Sequence, residues 1–330
     1  MFLENTKRGR NVLPALAFLA VTAAIARAGA EDAAVKALEK LGATVEWEYP
    51  RGRSAPRGHV IGVSFQETEG VGDAAADLLE KLPHLRRLNL YKTALSDVGL
   101  SRMASLGELE ELHLDDTRIT DAGLSCLAKL VHLHELSLSW TGVTGAGLKP
   151  LASLPELYRF KLWHTGLKDV DLAALRRFPS LLELDLSDTH ITDAGLFQLR
   201  GLKTLRELRL YGTAVTDAGL VQLADLTELR LLTLDKTKIT DKGLARLQGL
   251  TKLKALSLTR TAVSDAGLNS LGGLGNLQEL YLSETKVTDA SIPILSGMHG
   301  LRKLELTDTQ VSEEGCKRLA EALPDVEIYP

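Results

Sequence analysis

Residues 205–220 read LRELRLYGTAVTDAGL. Leu208 and Leu210 alternate with Arg209 and Tyr211, the pattern of a short strand with one buried face. Val215 follows the central Thr213. Thr216 and Asp217 then stand ahead of a segment whose apolar residues recur every third position, Leu220, Leu223 and Leu226, a helical stripe. Strand, turn and short helix are thus compressed into one unit.

The same unit recurs along the chain. Thr93, Thr117, Thr141, Thr165, Thr189, Thr213, Thr237, Thr261, Thr285 and Thr309 are 24 residues apart without a slip, which only a repeat array explains. Three residues before each Thr lies a Leu, from Leu90 to Leu306, and five before it a Leu or, once, Phe160. This accounts for the 67 Leu among 330 residues, while Phe, Trp and Tyr together reach only 5%. No single unit can bury its own Leu face, so the coils must stack. Thr or Ser followed by Asp precedes the helix in nearly every unit, as at Ser96-Asp97, Thr120-Asp121 and Thr240-Asp241. Both residue types suit a helix start, so these Asp are expected to be caps rather than catalysts or calcium ligands. The Gly two residues after each Asp is expected to allow close packing of coils, with Asp171 and Ser291 departing from the pattern.

This grammar resembles the leucine-rich repeat in its LxxLxLxx(T/C)xxITDxGLxxLxxL form, known from bacterial repeat proteins and from the repeat region of F-box proteins. The resemblance covers residues 82–323 and implies an α/β fold: a right-handed horseshoe solenoid with parallel strands on the concave face and short helices on the convex face. The F-box itself is not found in residues 31–81, which are short and strand-like.

Residues 1–30 read as a signal peptide. Lys7, Arg8 and Arg10 precede an apolar run from Val12 to Ala26, and small-x-small sites follow at residues 26–28 and 28–30. Cleavage before Glu31 and export to the periplasm, cell surface or medium are expected. The alternative is a membrane anchor over residues 12–26, which falls short of the ~20 residues a span requires. The mature chain carries 35 basic and 42 acidic residues, net −7. That balance argues against nucleic-acid binding, which needs a basic surplus. Residues 31–81 read as an N-terminal cap: a helix from Ala33 to Leu41, then strands around Val45, Trp47 and Tyr49 and around Ile61, Val63 and Phe65, separated by a basic loop at residues 51–58. A helix from Glu313 to Leu323 and a closing strand in residues 324–330 end the array.

No motif for catalysis, cofactor or metal emerges. Cys126 and Cys316 lie eight coils apart, about 38 Å at ~4.8 Å per coil, beyond disulfide reach. His164, Asp188 and His190 are placed to meet as a surface polar cluster rather than as a metal site or catalytic dyad. Function is therefore sought in positions that vary on the fixed scaffold. Four residues before Thr stand Lys161, Asp185 and Arg209, a row of alternating charge on neighbouring strands. Two before it stand Trp163 and Tyr211, and one before it Trp140, His164 and Asp188. Exposed aromatics with Arg suit an interface hot spot. The expected function is non-enzymatic recognition of a protein partner through the concave face, using these eight residues. Glycan stacking on Trp140, Trp163 and Tyr211 is the alternative.

Overall fold

The computed structural model describes residues 29–49, 58–65, 68 and 70–330. The targeting segment expected over residues 1–30 lies, up to residue 28, outside the described residues, as do residues 51–57 of the basic loop. Residues 29–40 are helical. Among the described residues, thirteen strands form one sheet in chain order. β1 (Thr44–Glu48) pairs antiparallel with β2 (His59–Ser64), and every later pairing is parallel. From β3 (Arg87–Asn89) to β12 (Lys303–Glu305) the strands are three residues long and recur every 24 residues, and β13 (Glu327–Tyr329) closes the sheet.

The register follows from the repeat. Leu88 pairs with Leu112, Leu136 with Phe160, Leu184 with Leu208, and so on to Leu304 with Ile328. Equal coil lengths put the same position beside itself on each neighbour, so the apolar residues form one continuous stripe. That stripe from Leu88 to Leu304, with its companions at Leu90 to Leu306, is essentially inaccessible to solvent, and Ile328 at its end is half-buried. Short α-helices and 3-10 turns return the chain on the opposite side, burying Leu100, Leu124, Leu148 and their counterparts.

Each repeated Thr donates its hydroxyl to the carbonyl of the Leu three residues earlier, as Thr117 to Leu114 at 2.6 Å and Thr213 to Leu210 at 2.8 Å. The hydroxyl thereby satisfies a turn carbonyl inside the stack.

The helix-start residues divide their work differently from the expectation. In most coils the Thr or Ser caps its own helix, as Thr216 accepts from the Ala218 N–H, whereas Ser264 makes no such bond. The Asp beside it reaches to the next coil instead. Asp97 accepts the Thr120 N–H at 2.9 Å and its hydroxyl at 2.6 Å, and Asp193 holds Thr216 in the same way. This ladder runs from Asp73 to Asp289, where Ser312 is the partner. The Gly two residues on is required by it: a Cβ at Gly267 would stand 2.5 Å from the Asp241 carboxylate oxygen.

One rung is missing, and the loss is compensated. Gly145 replaces the ladder Asp, so Lys168 in the next coil has no carboxylate from the preceding one. Asp171, standing where other coils carry Gly, accepts the Lys168 N–H at 2.8 Å instead. A Cβ at Gly145 would overlap the Asp171 carboxylate. The two departures are one exchange, each residue possible because of the other.

Candidate functional site

The turn after each strand sets the site. The residue before every repeated Thr has a left-handed backbone, with φ between 49° and 67° from Lys92 to Asp308. Gly212 occupies this position in one coil at no steric cost. In two adjacent coils the position is aromatic, Trp140 at φ 58° and His164 at φ 54°. Left-handed backbone costs an ordinary residue roughly 1–2 kcal/mol and is least suited to bulky side chains. The inter-coil ladder holds it: the Trp140 N–H donates to the Trp163 carbonyl at 2.8 Å and the His164 N–H to the Ser187 carbonyl at 2.9 Å.

This geometry stacks the Trp140 indole on the His164 imidazole, with ring centres 3.7 Å apart and planes 21° apart. Trp163 meets Trp140 edge-on at 5.6 Å and 78°. The Trp163 Nε1–H donates to Asp188 Oδ2 at 3.1 Å, which fixes the second ring. Trp140 and Trp163 remain 46% and 38% exposed, so a folding role accounts for neither. They form one wall of an open depression of about 540 Å³ on the outer face of the sheet, whose floor includes His113, Asp115, Ser137 and Lys161.

The floor is electrostatically ordered. Glu135 on β5 (Glu135–Ser137) is buried, accepting from Lys161 Nζ at 2.7 Å and from Arg159 Nη1 at 2.6 Å on β6 (Arg159–Lys161). Burial pushes its carboxyl up, but the hydrogen bonds from Lys161 and Arg159 outweigh it and hold the group below the usual carboxylate range. Arg159 also grips Glu183 with two N–H groups. Asp115 accepts the Ser137 hydroxyl and, at 3.0 Å, the Ser139 N–H.

The eight residues singled out in the sequence therefore fall into separate groups. Trp140, Trp163, His164 and Asp188 come together. Lys161, Asp185 and Arg209 are in register on neighbouring strands but do not pair with one another. Lys161 turns to Glu135, Arg209 to Glu207 at 2.9 Å within its own strand, and Asp185 accepts the Ser187 N–H at 2.9 Å. Tyr211 stands with Lys236, whose Nζ lies 5.7 Å from its ring centre, rather than with the tryptophans. The expected meeting of His164, Asp188 and His190 does not form: Trp140 takes His164 and Trp163 takes Asp188.

The partners missed were those six residues before each Thr: Glu135, Arg159, Glu183 and Glu207. They share the outer strand face with the two rows read from the sequence, and alternation extended by one step finds them. Among the described residues no group of His, Cys, Asp and Glu is arranged to hold a metal ion. Cys126 and Cys316 are free thiols on the helical side, and burial pushes both upward in pKa.

Comparison with known proteins agrees with this architecture. A leucine-rich repeat family model matches residues 109–128, 129–152 and 179–199. No curated protein matches the sequence. An internalin, InlF, from Listeria monocytogenes is similar at a TM-score of 0.54 and 20% identity, over 84% of this chain and 91% of that one. Internalin C2 from the same organism shares 28% identity over 66% of this chain and 84% of its own, at a TM-score of 0.50. The plant peptide hormone receptor RGFR1, solved in complex with RGF2, is similar at 14% identity and a TM-score of 0.50, over 81% of this chain and 47% of that receptor. The chain folds as an α/β leucine-rich repeat solenoid of 24-residue coils, with leucine-rich repeats matched within residues 109–199, and carries an exposed aromatic group on the open face of its sheet.

Proposed function

We propose that this protein is a non-catalytic recognition module that binds another protein through the concave, sheet-lined face. The observation that carries the reading is the exposed pair Trp140 and Trp163, packed against each other, with Trp140 stacked on His164 and Trp163 hydrogen-bonded to Asp188. Rigid aromatic side chains offer binding area with little further entropy to lose, which is why hot spots favour them. The plant receptor with a similar fold is seen with a bound ligand, which supports recognition as the use of such a scaffold.

Binding is tested by placing a photo-crosslinking residue in the full chain at Trp163 or Tyr211 on the sheet face, or at Gln222 or Arg246 on the helical face. The proposal expects adducts from the sheet face. Trp163→Ala should weaken the captured partner by roughly 2 kcal/mol or more, as for a hot spot. Its effect on unfolding should stay near 1 kcal/mol, the scale of one ring contact and one hydrogen bond. Adducts confined to Gln222 and Arg246 would move the working surface to the helices.

We also propose export, supported by the basic, apolar and small-residue order of residues 7–30. N-terminal sequencing of exported material should begin at Glu31 or Gly29; an intact Met1 in a membrane fraction would show an anchor instead.

A further inference from the structure

The charges around the aromatic pair do not balance. Lys161 and Arg159 are engaged by Glu135 and Glu183, and Arg209 by Glu207. Among the described residues that leaves Asp115, Asp116, Asp185 and Asp188 with no Lys or Arg partner. Three of them have local roles, accepting from Ser137 and Ser139, from Ser187 and from Trp163. Asp116 accepts no hydrogen bond from any described residue and is exposed, on the left-handed turn of the coil before Trp140. Asp115, Asp116 and Asp185 line the same depression as the two indoles.

A depression with this composition selects its occupant. Anionic groups are repelled by the unpaired carboxylates. An apolar segment would strip water from Asp116 and Asp185 and return nothing. A cation gains from both walls: the indole faces attract it through their quadrupoles, and the carboxylates attract it directly. With planes at 78°, Trp140 and Trp163 offer a corner rather than a single flat plate.

On the reading that this face binds a protein, we propose that the corner between Trp140 and Trp163 receives an arginine or lysine side chain from a basic segment of that partner, with Asp116 and Asp185 as its counter-charges. The preference comes from the chain's own geometry: its internal cations are already neutralised by Glu135, Glu183 and Glu207, so the site lacks only the charge a partner would bring.

The test titrates the full chain with a fluorescently labelled, end-capped nonapeptide carrying three arginines, and with its lysine, citrulline and glutamate counterparts. Citrulline keeps the shape of arginine without its charge. The arginine and lysine peptides should bind at least about tenfold more tightly than the citrulline peptide, with affinity falling as salt rises. Asp116→Asn combined with Asp185→Asn should erase most of that difference while circular dichroism and melting stay unchanged. Trp140→Asn should weaken the arginine peptide without creating a preference for citrulline. Equal binding of the arginine and citrulline peptides overturns the inference, as does unchanged affinity in the double Asn variant. Free spermidine binding as tightly as the peptide would also overturn it, by making the site one for small cations. If the photo-crosslinked partner still depends on Trp163 while no basic peptide binds, the cation inference alone fails. Crosslinks only from the helical face would remove the concave reading itself.

Discussion

Replacing Asp217 by Ala distinguishes a carboxylate that caps its own helix from one that ties two coils together. Asp217 Oδ1 accepts the Thr240 N–H at 2.8 Å and Oδ2 accepts the Thr240 hydroxyl at 2.6 Å. Hydrogen bonds to a charged group contribute about 1.5–3 kcal/mol each when buried. Both residues here are half-exposed, so water replaces part of what is lost, and the pair together should cost about 2 kcal/mol. Asp217→Asn, which keeps one acceptor, should cost about 1 kcal/mol. A cap confined to its own helix would also lose about 1 kcal/mol in the Ala variant, so a second perturbation is needed. Gly243 supplies it. A Cβ there meets the Asp217 carboxylate first and the Leu220 Cδ1 only at 3.1 Å. Gly243→Ala in the parent should therefore cost roughly 1–3 kcal/mol through overpacking. With Asp217 already Ala, the clash is gone and the gain in helix propensity of about 1 kcal/mol offsets what remains. Urea unfolding followed by circular dichroism on the four proteins gives the coupling, expected at about 1 kcal/mol or more. If Gly243→Ala costs the same in both backgrounds, or Asp217→Ala lies within about 0.5 kcal/mol of the parent, the ladder does not hold the coils.

The Gly145 and Asp171 exchange predicts that Gly145→Asp alone destabilises by roughly 1–3 kcal/mol, and that adding Asp171→Gly recovers most of it in the same unfolding assay. Acid should act through the depressed carboxylates. Glu135, Asp73 and Asp289 all ionise below their ordinary values, so the stability they contribute is fully present above about pH 4.5 and is lost as pH falls through their lower folded values. Melting temperature should then be flat from neutral pH to about 5 and fall below about 4, less steeply in Glu135→Gln; a maximum near pH 4 would contradict this. Deleting one whole coil, residues 213–236, should leave a soluble folded protein, because each coil contacts only its neighbours. Deleting residues 31–81 should not, and a capless chain that melts at the parent's temperature would refute the capping role.

Much of this architecture is written in a single string. The 24-residue spacing of Thr, the paired Leu two residues apart and the triplet stripe after them determine strand, turn and helix, and equal coil length determines the register in which Leu184 meets Leu208. Such periodic terms are local or nearest-neighbour, so one sequence carries them in full. The exposed tryptophans were legible for the same reason: they occupy strand and turn positions where most coils carry small or polar residues.

What a residue one coil away does was not legible. Asp217 looks like a cap because its sequence neighbours form a helix, yet its carboxylate reaches residue 240. Lys161 and Asp185 look like an ion pair on adjacent strands, but Glu135, on the strand before them, is buried and more in need of a cation. The left-handed turn beneath Trp140 is signalled by Gly212 and by Asp116, Asp188 and Asp308, types that tolerate such a backbone, but Trp140 itself and the Lys, Arg and Glu in other coils give no local sign of it. Side-chain pairing and backbone strain depend on which coil lies alongside and on how deeply each charge is buried, and those are properties of the stacked solenoid rather than of any one repeat.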